Sequence, residues 1–259
     1  MPLLSEPHLR LALRQCGRRS SVSGADGMTW RDLRRDAGRL LPRLAHQLAD
    51  GTWNPNATRE FSIETYTGKN IQTFIPPVLD RVVHRTLRNA IEPILEAREF
   101  QDWVSGFRPR RNRVTALRQA ATFHDAGFRW VADADVATVS EGTHLDEVID
   151  WHAKHIHDGS FLGILRAALS GMPHPLGAGS GLAPMLINLR LSQVDGQLSG
   201  LRVVRFADNY AAFADSQDEA REAFDAISDA LWNFRLRPNE TKSRIRAGAN
   251  VEDLFLIGG

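Results

Sequence analysis

The chain has 259 residues, with 32 Lys and Arg against 31 Asp and Glu and a formal net charge of +1. That length buries a sizeable core in one large domain or two small ones, and the charge balance excludes a uniformly basic nucleic-acid binder. The cations are nearly all Arg, a bias that by itself says little about partners, and the single cysteine, Cys16, excludes an internal disulfide framework and suits a reducing compartment.

The amino terminus, "MPLLSEPHLRLALRQ", lacks the continuous apolar core of a signal peptide, and no run is long enough to span a membrane. A cytoplasmic protein is expected. "TWRDLRRDAGRLLPRLAHQLADG" reads as a helix capped by Thr29, with Asp32 in its first turn and a stripe of Leu33, Leu40, Leu41, Leu44 and Leu48. Gly51 stops it, and Pro42 implies a kink or a break into two helices. "REFSIETYTGKNIQTFIPP" alternates around "TGKN" as a hairpin closed by Pro76 and Pro77. "LDRVVHRTLRNAIEPILEARE" and "RVTALRQAATFHDAG" are helical. "RWVADADVATV" is a buried central strand. "LRVVRFAD" and "YAAFADS" are two more strands, with Asp208 and Asn209 in a tight turn between them, since Asn and Asp tolerate positive φ. Ser216 to Glu219, "SQDE", forms a capping box, and the helix after it carries Phe224, Ile227, Leu231 and Phe234 on one face. Helices mixed with short antiparallel strands give an α+β fold.

The carboxylates raise the question of function. Asp133 and Asp135 are two apart in a strand, so they share a face. Asp208 sits at a hairpin tip far along the chain, and a strand and a hairpin carboxylate can converge on one side of a sheet. Two convergent carboxylates are the least a protein contributes to a magnesium site. A pair of such ions aligns an attacking hydroxyl with a phosphate. On local features alone the simpler reading is a strand end and a turn.

The order of the motifs changes that. "GADGMTW", "IPPVLDRVVHRTLRNAIEPILE", "SGFRPRRNRVTAL", "VADADVATV", "GLAPMLINLRL", "VRFADNYAAFADS", "FRLRPNETKSRI" and "LFLIGG" resemble, in order, successive segments of the reverse transcriptases of bacterial group II introns and their relatives. The resemblance covers nearly all of the chain. It implies the fingers and palm of a right-hand polymerase, with an antiparallel palm sheet backed by helices. Residues 1–120 are then fingers-like with part of the palm and 121–259 palm-like, together one domain, and no thumb is expected before Gly259. It also implies an RNA-directed DNA polymerase, a nucleotidyltransferase using Mg2+ at Asp135 and Asp208.

The departures from the family pattern concentrate on one site. The family has two Asp at the hairpin tip; here the second is Asn209, which lacks the charge that holds a hard cation. Val139 and Ser140 replace paired aromatics, one of which floors the incoming sugar. The Pro-Gln-Gly turn of the nucleotide pocket reads Gly177, Ala178, Gly179. The Lys and Arg that grip the triphosphate align with Thr65 and Ile71, although a register shift moves one assignment onto Lys69. Asp135 and Asp208 remain. Lys242 stands where the family has a Lys that protonates the pyrophosphate leaving group, or is a solvated turn residue. By resemblance, the run Arg108, Arg110, Arg111 and Arg113 lies beside the template, where it would contact phosphates. Trp103 and Phe107 nearby read as core packing rather than base stacking.

Other features carry less. His152, His155 and His157 cluster without a Cys or carboxylate at a diagnostic spacing, so no zinc site is expected. "GMPHPLGAGSG" lacks the Lys and spacing of a phosphate loop, and Cys16 reads as packed. Three functions remain open. One is a degenerate family member, a pseudoenzyme that binds RNA or an RNA/DNA hybrid and makes little DNA. The second is a working polymerase with an atypical site. The third is a protein-interaction subunit beside a catalytic or thumb-bearing partner. No membrane association is expected.

Overall fold

In the computed structural model, which describes residues 2–16, 22–64, 68, 70–248, 250–251 and 254, the chain divides into two compact units, neither continuous in sequence. Unit 1 comprises Met1–Ile94 and Thr143–Leu186, and unit 2 comprises Leu95–Gly142 and Ile187–Gly259. Antiparallel sheets and helices are mixed, and among the described residues no helix is long and apolar enough to cross a membrane.

Unit 1 opens with α1 (Glu6–Cys16) and α2 (Trp30–Ala49). The Thr29 hydroxyl accepts from the Asp32 N–H at 3.2 Å and the Asp32 carboxylate accepts from the Thr29 N–H at 3.1 Å, so two orphan donors are satisfied reciprocally. Leu33, Ala37, Leu41, Leu44 and Leu48 form the buried stripe. The helix is not broken at Pro42. The ring sits on the exposed face, as does Gly38, whose carbonyl loses its helical donor there and meets water instead. β1 (Arg59–Glu64) and β2 (Asn70–Ile75) pair antiparallel from Arg59↔Ile75 to Glu64↔Asn70. Thr67 and Lys69 of the "TGKN" turn between them, and all of the "LFLIGG" segment except Leu254, lie outside the described residues.

After Pro76 and Pro77, α3 (Val78–Arg98) buries Val82, Val83, Leu87, Ile91 and Leu95. α5 (Leu145–Ala153), α6 (Gly159–Ser170) and the start of α7 (Ala183–Asp195) complete the unit. The loop before α7 lies against β2: the Phe74 N–H donates to the Ala178 carbonyl at 2.9 Å. Gly179, at φ +105, approaches so closely that a Cβ would stand 2.1 Å from the Phe74 carbonyl oxygen, which only glycine avoids.

Unit 2 is built on a sheet in the order β4-β5-β3-β6, all neighbours antiparallel: β3 (Trp130–Asp135), β4 (Val203–Phe206), β5 (Asn209–Ala214) and β6 (Arg244–Ala247). Ala132, Ala134, Tyr210 and Ala212 face one way, onto Leu191 and Val194 of α7 and Ile227 and Leu231 of α8 (Gln217–Asn233). Val131, Val204, Ala211 and Phe213 face the other, onto Ala116 and Ala120 of α4 (Arg113–Asp125), which Asn112 caps. The small Ala side chains let helix and sheet approach on both faces. At the start of α8 the expected box is half formed. Ser216 accepts from the Glu219 N–H, but the Glu219 carboxylate accepts from the Asp215 N–H at 2.7 Å and pairs with Arg202, which draws it away from Ser216.

Candidate functional site

The site grows from the β4–β5 turn. Phe206 pairs with Asn209, so the turn residues are Ala207 and Asp208, and Asn209 is already the first residue of β5. The positive φ falls on Ala207, at 57°, rather than on Asp208 or Asn209 as expected. A left-handed Ala persists only when its surroundings over-determine it. Here they do. The Ala207 carbonyl accepts from the Arg205 guanidinium at 2.6 Å. Residues 103–106 run beside β4, with the Arg205 N–H donating to Trp103 and the Ser105 N–H to Arg205. Gly106 comes so close to the turn that a Cβ on it would stand 2.0 Å from the Ala207 nitrogen.

Arg205 is fully buried and needs compensation. Its guanidinium forks onto Asp195 at 2.9 and 2.6 Å and donates to the Asn188 side-chain oxygen at 3.0 Å. The Tyr210 hydroxyl donates to Asp195 at 2.9 Å, and the Asn188 amide donates to the Gly106 carbonyl at 2.7 Å. One buried network thus ties the turn, the 103–106 segment and the end of α7 together.

Asp135 ends β3 directly opposite Asn209, and the Asp208 carbonyl accepts from the Val136 N–H at 3.1 Å, which places the two aspartates side by side at the sheet end. Asp135 is buried and Asp208 half-buried. Burial, then the neighbouring Asp135 charge, pushes the Asp208 carboxyl above its ordinary range, against the pull of Lys242 and Arg205. The Asn209 amide donates to the Asp208 carboxylate at 3.2 Å. The Lys242 ammonium lies 3.6 Å from the Asp135 carboxylate. A turn folded onto β3 brings it there: the Asn239 N–H donates to the Asp135 carbonyl at 2.7 Å, the Asp135 N–H donates to the Ser243 hydroxyl at 3.1 Å, and the Asn239 side chain accepts from the Thr241 N–H and hydroxyl.

Asp135, Asn209, Lys242 and Ser243 line a cleft of about 210 Å³ that also takes in Asp133, Arg244 and Arg246, whereas Asp208 is not part of its lining. Asp133 pairs with Arg246 at 2.7 Å and Arg244 at 3.9 Å, yet burial outweighs both and raises its carboxyl to about 6. Sequence reasoning passed over the two arginines, although "SRIRA" alternates with the same period of two that sets Asp133 and Asp135 on one face. It also passed over the Arg205–Asp195 pair. The signal there was an Arg inside an apolar strand, which demands a buried acid.

Among the described residues no group of three or more His, Cys, Asp and Glu is disposed to hold a metal ion. Asp135 and Asp208 are adjacent hard-oxygen donors at the sheet end, and of the two only Asp135 lines the cleft.

The remaining expected residues fall in different places. The Arg108 guanidinium turns inward, onto Glu96 at 2.9 Å and the carbonyls of Gln101 and Val104, so it braces the loop rather than facing solvent. Arg111 hooks Asp102 at 3.0 Å, and Arg113 stacks over Phe206 at 5.5 Å. Arg110 is exposed, at φ 60°. Phe107, expected in the core, is 44% exposed, because the left-handed turn at φ 61° swings it outward, whereas Trp103 packs against the core. Val139 is buried and its carbonyl accepts from Arg190; Ser140 is half-buried. In unit 1, Ile71 lies exposed on β2 opposite Ile63, Ala178 docks on β2, and Thr65 and Lys69 lie outside the described residues. His152 is buried against the Val148 carbonyl at 2.7 Å, and burial lowers its ring to about 4.

The family model described as reverse transcriptase (RNA-dependent DNA polymerase) matches residues 67–252, a span that includes Asp135, Asp208 and Lys242. Protein YkfC of Escherichia coli (strain K12) is 28% identical over 193 residues, 68% of this chain and 49% of that protein. Nuclear intron maturase 1, mitochondrial, of Arabidopsis thaliana is 34% identical over 99 residues, 38% of this chain and 14% of that protein. The chain thus spans about half of the first relative's length and far less of the second's.

Proposed function

Since this chain belongs to the reverse transcriptase family, we propose that it is a nucleic-acid-binding domain with fingers and palm, whose polymerase chemistry is weak or lost. The observation that carries the second part is the Asn209 amide on the Asp208 carboxylate, at the position where the family pattern has a second Asp. An amide N–H occupies a carboxylate lone pair and brings no charge. Lys242 meanwhile offers Asp135 a cation of the protein's own. A Mg2+ ion would be held by Asp135 and Asp208 and would supply Lewis-acid stabilisation of a phosphoryl oxygen. Lys242, at the rim, holds a proton beside the place where a leaving group would depart. Arg205 keeps the Asp208 turn in shape from beneath.

RNA or an RNA/DNA hybrid is the partner we assign. Arg110 and Arg244 are the exposed cations that meet its phosphates, with Arg108 positioning the Arg110 loop from within. Binding of a primed RNA template across a salt series tests this. The log of affinity should fall linearly with log salt, and Arg110→Ala with Arg244→Ala should flatten the slope by about one to two phosphates. Absence of binding would favour a protein-interaction subunit beside a catalytic or thumb-bearing chain.

A further inference from the structure

Two helices, one in each unit, leave charged faces bare, and the two faces are of opposite sign. On α8 the exposed residues Asp218, Glu222, Asp225 and Asp229 stand at spacings of four, three and four, so they form one stripe along the helix. Trp232 continues that stripe three residues on, and at 60% it is the most exposed large apolar side chain among the described residues. On α2 the exposed residues Arg31, Arg35, Arg39 and Arg43 follow one another at spacings of four. We propose that these faces dock on each other between copies of this chain, the α2 arginines of one copy lying on the α8 carboxylates and Trp232 of a second.

Most of this charge has no use within the chain. Arg35 is held by Asp32 at 3.4 Å and Asp36 at 3.2 Å, but Arg31, Arg39 and Arg43 enter no ion pair among the described residues. On α8, Glu219 pairs with Arg202 off the stripe, and the four carboxylates of the stripe enter no ion pair among the described residues. The stripes also match in length. At 1.5 Å per residue the arginines run over about 18 Å and the carboxylates over about 17 Å, so charge meets charge along the whole contact. The net charge of +1 leaves no overall repulsion between copies.

Trp232 adds an apolar anchor. With Phe224 and Pro238 it lines a groove of about 440 Å³, in which Arg237 and Glu240 offset each other in sign. A guanidinium is the group that stacks on an indole face while its N–H groups reach carboxylates. Because the two faces differ, the contact is head-to-tail, and it continues past the dimer unless it closes into a ring. Exposed ion pairs are individually weak and screened by salt, so the association is weak and belongs to low ionic strength.

The test is sedimentation velocity of the full chain, freed of nucleic acid, over a concentration series at about 0.05 M and about 0.5 M salt. The wild type should associate at the lower salt and at least about tenfold more weakly at the higher. Arg39→Gln with Arg43→Gln should weaken the association at least about tenfold, and so should Asp225→Asn with Asp229→Asn and Trp232→Ala. Arg118→Gln, which removes an exposed charge from α4, should leave it unchanged. All of these positions are exposed, so the fold tolerates the changes. Mixed together, the α2 variant and the α8 variant should form a dimer and nothing larger, since the first still offers an intact α8 and the second an intact α2. A chain that stays monomeric at low salt, an association that the variants leave intact, or a mixture that does not pair overturns the proposal. So does an α2 variant that loses RNA affinity while self-association is untouched, because the arginines would then serve nucleic acid. Self-association requires neither template nor polymerisation, so this result stands or falls separately from the function proposed above.

Discussion

Replacing Asp195 by Asn removes the carboxylate beneath the β4–β5 turn while keeping its shape. Asp195 and Arg205 are each 0% exposed, so the variant leaves a guanidinium with full charge and no counter-ion inside unit 2. Breaking a buried pair from one side costs about 3–5 kcal/mol, a large share of the roughly 5–15 kcal/mol that holds a typical domain. At about 2–4 °C per kcal/mol for a chain of this size, the melting temperature should fall by roughly 6–20 °C. Urea titration and a thermal melt read the loss directly. Arg205→Met combined with Asp195→Leu should recover much of it, since an apolar pair carries no desolvation penalty. That double variant still deprives the Ala207 carbonyl of its donor. An Asp195→Asn variant less than about 1 kcal/mol below wild type would refute the reasoning, because no uncompensated buried charge is that cheap.

Gly106→Ala should lose more than about 2 kcal/mol in urea titration. Its Cβ meets backbone, the Ala207 nitrogen at 2.0 Å, which cannot swing aside as a side-chain end would. A loss within about 0.5 kcal/mol, the range of ordinary surface changes, would show that the segment does not press on the turn. Asp133 should give stability a pH dependence. Its carboxyl is raised from 3.8 to about 6, so the fold favours the protonated form. The contribution is present below pH 4 and is lost as pH rises through 6; about two pKa units correspond to about 3 kcal/mol. The difference between wild type and Asp133→Asn in urea should therefore change in that window and be flat above pH 7; a flat difference throughout would contradict it.

The elements with strong periodicity were legible from the sequence. α2, with its Thr29 cap and Leu stripe, and the central strand β3 both sit where hydrophobic spacing put them. What escaped was set by partners remote in sequence. The turn residues were displaced by one because the left-handed Ala207 is imposed by Arg205 and Gly106, and Ala itself signals nothing. The four arginines after Gly106 looked alike as a basic run. Glu96 and two carbonyls take Arg108 inside, Asp102 ties Arg111, and Arg110 is left exposed. Pro42 looked like a helix breaker because sequence does not tell that its turn faces water.

Single-turnover extension of a primed RNA template, with Mg2+ and with Mn2+, tests the central claim most directly. Asp208 keeps its neighbour Asp135, but Asn209 covers it with an amide instead of adding a second charge. A missing charged ligand worth several kcal/mol corresponds to several powers of ten in rate, at about 1.4 kcal/mol for each. Wild-type protein should bind the template yet extend it no faster than Asp208→Ala. Robust extension by the wild type that disappears in Asp208→Ala would contradict it and establish a working polymerase on an atypical site.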